Sequence, residues 1–269
     1  MALKDITLGQ YFPGNSLVHK LDPRTKLIAV VIYIVALFLA KWFVTYAIMF
    51  VVLAAAIAIS RVPLKSLVSG MKPVVFILVF TGLLNLFYTP GEHVLAQFWI
   101  FTITLEGVLQ AIFMVVRILM LIAGTFLLTY TTSPIMLTDG LESLLGPLKA
   151  IKVPVHELAM MMSIALRFIP TLIEETDKIM SAQRARGADF ESGNLFQRAK
   201  ALLPLLVPLF ISAFRRADEL ATAMECRCYH GGKGRTRLKQ LKYCGRDYVT
   251  LVLFIAITVA VGVLAHFGL

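Results

Sequence analysis

The chain has 269 residues, 58% of them hydrophobic and only 16% charged, with a formal net charge of +10. Soluble domains carry nearer a quarter charged residues, so the composition excludes an ordinary soluble domain and indicates an integral membrane protein. The three cysteines, Cys226, Cys228 and Cys244, are odd in number and lie late in the chain, which argues against a disulfide framework and for reduced thiols facing a cytoplasm.

Residues 1–26 carry Lys4, Asp5, Asp22, Arg24 and Lys26 and no apolar stretch followed by a small-residue cleavage site. They are expected to form a cytoplasmic N-terminal segment rather than a cleaved signal. A membrane helix needs about 17–25 mostly apolar residues. Residues 27–60 exceed one such helix and predict two, 27–40 and 43–60, on either side of Lys41. A third span is predicted over 73–89, a fourth over 106–130 with the single charge Arg117, and a fifth over 248–266. The chain thus divides into the segment 1–26, four spans within 27–130, a polar stretch 131–247, and a last span within 248–269. With five spans, the N-terminus, the 61–72 connection and the 131–247 stretch share one side. That side holds 24 of the 26 Lys and Arg residues, all but Lys41 and Arg117, and is therefore expected to be the cytoplasm.

Residues 131–247 read as three helices. The first, in "TTSPIMLTDGLESLLGPLK", has Ser133 as N-cap, Pro134 in the first turn and Gly146-Pro147 as its stop. The second runs over about 155–186, with an apolar face from Leu158 through Met162, Ala165, Ile169 and Leu172 to Ile179. The third runs over about 196–228, with a similar face from Leu202 to Met224. Pro170, Pro204 and Pro208 are expected to kink these helices. The very apolar segments 158–173, which contains Arg167, and 201–214 are shorter than a comfortable span. They are read as lying against the membrane core or its inner interface, with an extra membrane hairpin as the alternative.

The two long helices echo each other forty-one residues apart: Asp177 with Asp218, Ile179 with Leu220, Ser181 with Thr222, Ala182 with Ala223, and Arg186 with Arg227. A glycine just past a helix is an ordinary C-cap, and an arginine in the last turn suits the helix dipole. That reading covers a single Arg186-Gly187 end completely. It does not cover the recurrence, nor the small residues on both sides of the arginine. Ala185 and Gly187 leave the Arg186 guanidinium clear to enter a groove and meet a carboxylate or helix-end carbonyls.

Three stretches, "LGQYFPGNSLVHKLDPRTKL" at 8–27, "SAQRARGADF" at 181–190 and "ADELATAMECRCYHG" at 217–231, give the chain a resemblance to the transmembrane T component of energy-coupling factor transporters, over nearly its whole length. The opening segment resembles the form shared by several substrate-binding subunits. The resemblance implies an all-α integral membrane protein with about five transmembrane helices and long cytoplasmic coupling helices, in a prokaryotic cell membrane. It implies two ATP-binding-cassette ATPases as partners, docked at Ala185, Arg186 and Gly187 and at Cys226, Arg227 and Cys228. It also implies a membrane-embedded substrate-binding subunit that carries a vitamin or micronutrient. Cys226 and Cys228 depart from the family pattern by standing where Ala and Gly are usual, and a Cys, unlike Gly, is disfavoured at positive φ.

Other signals point to less. "HGGKGRTR" at 230–237 has glycines and a lysine but not the order of a nucleotide loop, so ATP hydrolysis is expected on partner chains. Cys226, Cys228, His230 and Cys244 could supply soft ligands, but the C-x-C spacing is atypical of a closed zinc site and no second pair supports it. No metal, cofactor or nucleic acid is expected. Arg117 near the middle of a span has two readings: a contact inside the bundle or with a partner, or a local adjustment that pairs it with backbone or lets it snorkel. The span interiors hold no Asp or Glu, leaving only Glu106 at an edge. That weighs against an autonomous secondary transporter and leaves no acid–base pair for a membrane enzyme.

Overall fold

The computed structural model describes residues 11–88, 93–98, 101–188, 190, 194–232 and 240–267. Residues 8–10 of the opening signature, Asp189 and residues 233–237 of the glycine–lysine loop lie outside the described residues. The described residues form two compact units, one within 11–140 and 241–267 and the other within 141–240.

In the first unit, α1 spans Pro23–Leu39, α2 Phe43–Ser60, α3 Leu64–Tyr88, α4 Leu105–Thr131 and α8 Gly245–Phe267. Asp22 starts α1 by accepting from the Arg24 N–H at 2.9 Å, and Pro23 occupies the first turn, where its missing N–H is not needed. The Thr45 hydroxyl binds both backbone groups of Trp42, from the N–H at 3.1 Å and to the carbonyl at 2.6 Å, which fixes the sharp entry to α2. The shared core is Tyr33, Ala36 and Leu37 of α1, Tyr46, Met49 and Leu53 of α2, Met120, Ala123, Leu127 and Tyr130 of α4, and Val261 of α8. α3 begins nine residues before the predicted span, because Pro73 lies inside the helix instead of starting it. Pro73 removes the bond that the Ser69 carbonyl would accept, so a bend is expected there rather than an end. The close approach of α3 to α4 requires Gly70, where a Cβ would stand 2.9 Å from Phe126 and from the Tyr130 hydroxyl.

A short antiparallel hairpin, β1 Val94–Phe98 with β2 Phe101–Thr104, precedes α4. Nothing in the predicted spans anticipates it. Its register pairs Phe98 with Phe101 and shifts between Val94 and Ala96. Thr104 then caps α4 by accepting from the Gly107 N–H at 3.1 Å.

The second unit takes in the end of α5 (Pro134–Leu144), a 3-10 turn over Gly146–Ile151, α6 over Val155–Ala185 and α7 over Leu195–Cys226. Gly146 and Pro147 thus open a tighter turn just past the helix they were expected to stop, and Lys152 ends that turn at φ 63°. Glu142 pairs with His156 at 3.0 Å, tying the end of α5 to the start of α6. Gly232, beyond α7, lies against the His156 ring where a Cβ would have no room.

Among the described residues, five helices are long and apolar enough to cross a membrane: α2, α3, α4, α6 and α8. α6 is the least apolar of them, with a mean hydropathy of 1.3 against 2.0–2.6 for the other four. α1 has 17 residues and is about 25 Å long, the lower limit for a span. Large apolar side chains stand exposed along the spans, among them Phe76 and Phe80 of α3 and Val249 and Val252 of α8. These are the surfaces that hydrocarbon or a membrane partner must cover.

Candidate coupling site

The sequence candidates at 185–187 and 226–228 close two different helices, α6 and α7. At the α6 end the Ala188 N–H reaches back to the Gln183 carbonyl at 3.0 Å and the Gly187 N–H to the Arg184 carbonyl at 3.0 Å. At the α7 end the Tyr229 N–H reaches the Met224 carbonyl at 3.0 Å and the Cys228 N–H the Glu225 carbonyl at 2.8 Å. Every donor and acceptor in the second set lies forty-one residues after its counterpart in the first. Both ends therefore make the same closing motif, in which a residue in the left-handed region turns the chain and satisfies the last carbonyls. Gly187 takes that position at φ 88° and Cys228 at φ 57°. The second end keeps the geometry although its residue is one that disfavours it; left-handed backbone costs about 1–2 kcal/mol for a residue with a Cβ.

Arg186 and Arg227 sit one residue before the turn, with φ of −86° and −91°. Ala185, Arg186, Gly187, Cys226, Arg227 and Cys228 are all exposed. Among the described residues neither guanidinium has a hydrogen bond or an ion pair, whereas the preceding Arg184 does have a contact. Each tip therefore offers five N–H donors in a planar fork, ready for a carboxylate or a set of carbonyls on another surface.

Among the described residues, a polar side-chain cluster ties together the helices that carry the tips. Glu175 of α6 accepts from Arg216 of α7 at 2.8 Å and pairs with the Ser212 hydroxyl. Glu175 and Arg216 are themselves forty-one residues apart, so the helices meet at equivalent positions. Arg186 and Arg227 each lie eleven residues beyond that contact, about 16 Å along the helix. Exposed apolar side chains line the other half of each helix, including Leu158 and Met162 of α6 and Leu206 and Phe210 of α7.

Arg117 lies in the other unit and serves it internally. Its Nε donates to the Tyr46 hydroxyl at 2.8 Å and its guanidinium to the Ala40 carbonyl at 3.0 Å. Ala40 ends α1, so Arg117 satisfies a helix-end carbonyl and supplies a cation where the dipole favours one. α4 is longer than α1, and mid-α4 stands level with the α1–α2 corner beside Lys41.

A second junction was not singled out by sequence. The Lys26 ammonium donates to the Thr131 carbonyl at 2.9 Å, the Thr132 hydroxyl at 3.1 Å and the His19 carbonyl at 3.3 Å, using all three protons. The Asp22 N–H donates to the Asp247 carboxylate at 2.9 Å, and the Cys244 N–H to the same carboxylate at 2.8 Å. The Arg24 guanidinium lies 3.9 Å over the Tyr243 ring. The starts of α1 and α8 and the end of α4 thus meet at one end of the bundle. The signal was present in "LDPRTK", an N-cap followed by a lysine on the buried side of the first turn.

Cys226, Cys228 and Cys244 are free thiols, all exposed. Among the described residues no group of three or more His, Cys, Asp or Glu side chains could hold a metal ion.

Residues 14–238 match the CbiQ family, described as a cobalt transport protein. The chain is 55% identical to the energy-coupling factor transporter transmembrane protein of Ruminiclostridium cellulolyticum, with 96% of this chain and 94% of the relative covered. It is 56% identical to the protein of that name from Thermosediminibacter oceani, over 93% and 94% of the two chains. Against its counterpart in Bacillus subtilis the identity is 50%, over 95% and 96%.

Proposed function

The chain belongs to the family of energy-coupling factor transporter transmembrane proteins, and from that premise we propose that its two arginine tips each anchor one ATP-binding-cassette ATPase. A membrane-embedded substrate-binding subunit for a vitamin or micronutrient is the second partner, covering exposed apolar surface of the chain. ATP binding and hydrolysis on the ATPases change their spacing. α6 and α7 carry that change to the substrate-binding subunit, which reorients and releases its cargo inward. The chain itself supplies no catalytic group. Residues 1–26 and 131–247 face the cytoplasm in this reading, and the spans lie within 27–130 and 248–269. The charge asymmetry between the two sides supports that orientation.

The observation that carries the reading is the repetition of one helix end. Two tips share the same backbone closure, each with an exposed guanidinium unpaired among the described residues and each eleven residues past the α6–α7 contact. A lone helix-end arginine needs no such repetition.

Charge reversal at both tips tests it. A guanidinium buried against a partner carboxylate leaves an uncompensated charge when it is removed, at about 3–5 kcal/mol, so each reversal should weaken its dock about a hundredfold or more. Arg186→Glu with Arg227→Glu is expected to abolish ATPase copurification and substrate uptake while the protein still inserts in the membrane. Each single reversal should leave partial assembly. Arg215→Glu, an exposed change on α7 away from the tip, should leave both measurements intact. Stoichiometric ATPases on the double variant would end this reading.

A further inference from the structure

We infer that the bundle holds an anionic phospholipid, with one acyl chain in the groove between α2 and α8 and its phosphate at Arg246. The groove has a volume of about 600 Å³. Its flanks are α2 and α8, and α1 and α4 form its floor; small side chains, among them Ala29, Ala55 and Ala56, leave the space. Apart from Lys26, Tyr33, Thr131, Arg246 and Thr250 its walls are apolar, and their outer edges are exposed where the helices face the bilayer, as at Val51 and Val249. A chain lying in it remains continuous with the hydrocarbon.

Three observations point to a lipid as the occupant. The first is length. Along α8 the lining runs from Arg246 to Ile257, about 16 Å, or half of a hydrocarbon core about 30 Å thick. That is the reach of one leaflet. The second is charge. Arg246 is exposed at one end of the groove and, among the described residues, its guanidinium has no hydrogen bond or ion pair. Lys26 also lines that end, but its three protons are already donated within the bundle. Arg246 is thus the cation left to meet a phosphate. The third is sequence. From Lys233 to Arg246 the chain carries six Lys or Arg and no acidic residue directly before a membrane helix, the pattern that concentrates anionic headgroups.

Placement in the cytoplasmic leaflet rests on the orientation proposed above, whereas the groove and its cation do not. Binding in detergent has no leaflet, so the test below separates the two: its failure removes the lipid and leaves the orientation untouched.

The test is native mass spectrometry of the purified full chain in mild detergent, titrated with phosphatidylglycerol or phosphatidylcholine of identical acyl chains. The parent should retain one phosphatidylglycerol about fivefold more tightly than phosphatidylcholine, the contribution of one basic residue against an anionic headgroup. Arg246→Ala, an exposed change, should bring phosphatidylglycerol down to the phosphatidylcholine level and leave the latter unchanged. Ala56→Phe should weaken both lipids by filling the groove. Glycerol phosphate at equal concentration should not displace the bound lipid. Equal retention of the two lipids by the parent, or a preference that survives Arg246→Ala, overturns the proposal. So does displacement by glycerol phosphate, which would mark a headgroup site without a chain. Loss of the preference in the assembled transporter would mean that a partner helix fills the groove, and would overturn it as well.

Discussion

In the bundle, Lys26 gives its three protons to the ends of two neighbouring segments, and Arg117 joins the corner between α1 and α2 to α4. On the paired helices, Arg186 and Arg227 project from exposed ends with no described partner. The same kind of side chain does opposite work in the two regions. A cation surrounded by carbonyls of its own chain has its desolvation already offset, and holds helices together. A cation held out on a helix end with its donors unfilled is free to meet a surface on another chain, the role proposed above for Arg186 and Arg227. Sign of charge does not separate the two roles; whether the donors are filled does.

That contrast predicts a crossover between stability and assembly. Lys26→Met leaves two carbonyls and a hydroxyl short of a donor at a buried junction. It should lower unfolding free energy by about 3 kcal/mol, read as a lower thermal midpoint of the purified chain. Arg117→Met should lose about 2 kcal/mol by the same logic, since the Ala40 carbonyl and the Tyr46 hydroxyl each lose a partner. Arg186→Met should leave the midpoint unchanged and reduce ATPase copurification to a partial level instead. If Arg186→Met destabilised the chain as much as Lys26→Met does, the two classes of cation would be one.

The tips can then be set against each other. Cys228→Gly removes the strain of a left-handed cysteine and should steady the α7 end by about 1 kcal/mol, slowing hydrogen exchange at the Tyr229 amide about fivefold. Gly187→Cys should do the reverse at the Ala188 amide. No change in either would show that Cys228 holds its conformation without strain. A smaller effect belongs to the link between the helices. Glu175→Gln removes a partly exposed ion pair and should cost less than about 1 kcal/mol of stability. Its larger readout should be a looser α6–α7 contact, seen as a broader distance distribution between spin labels on the two helices.

The smallest effect is a pH dependence. Burial pushes the His19 imidazole below its ordinary 6.5, with the Phe12 carbonyl raising it and Lys26 lowering it further. His19 therefore binds a proton more readily unfolded than folded. Its contribution is fully present above pH 6.5 and falls as pH drops from there through the folded value. The thermal midpoint should dip slightly below pH 6.5, and His19→Gln should remove the dip. A midpoint that rises on acidification would reverse the sign and refute the assignment.

Much of this architecture was legible in the residues. α6 and α7 follow the predicted helices to within two residues at either end, because apolar spacing defines their length and Gly187 or its counterpart defines their stop. The echo of Arg186 in Arg227 was readable as a repeat, and the matched closing bonds give it a backbone meaning. Three features were not readable. Pro73 reads as a start, yet packing of α3 on α4 through Gly70 carries the helix across it. The β1–β2 hairpin is four or five residues per strand, too short for alternation to speak. The depth of Arg117 depends on where α1 ends in space, which no linear count of α4 supplies.

In the coupling proposed above, the contact between Glu175 and Arg216 would act as a fulcrum. From it, α6 extends back to Val155 and α7 to Leu195, roughly 30 Å in each case and about twice the distance to the tips. Separating the tips by one helical turn, about 5.4 Å, would open the helices by roughly 20° and move their far ends about twice as far. The short arms, residues 176–186 and 217–227, contain neither proline nor glycine. Pro170, Pro204 and Pro208 all fall on the long arms. In that coupling, such a lever would be stiff where force enters and compliant where it leaves, so a displacement at the arginines would arrive at the apolar arms enlarged but cushioned.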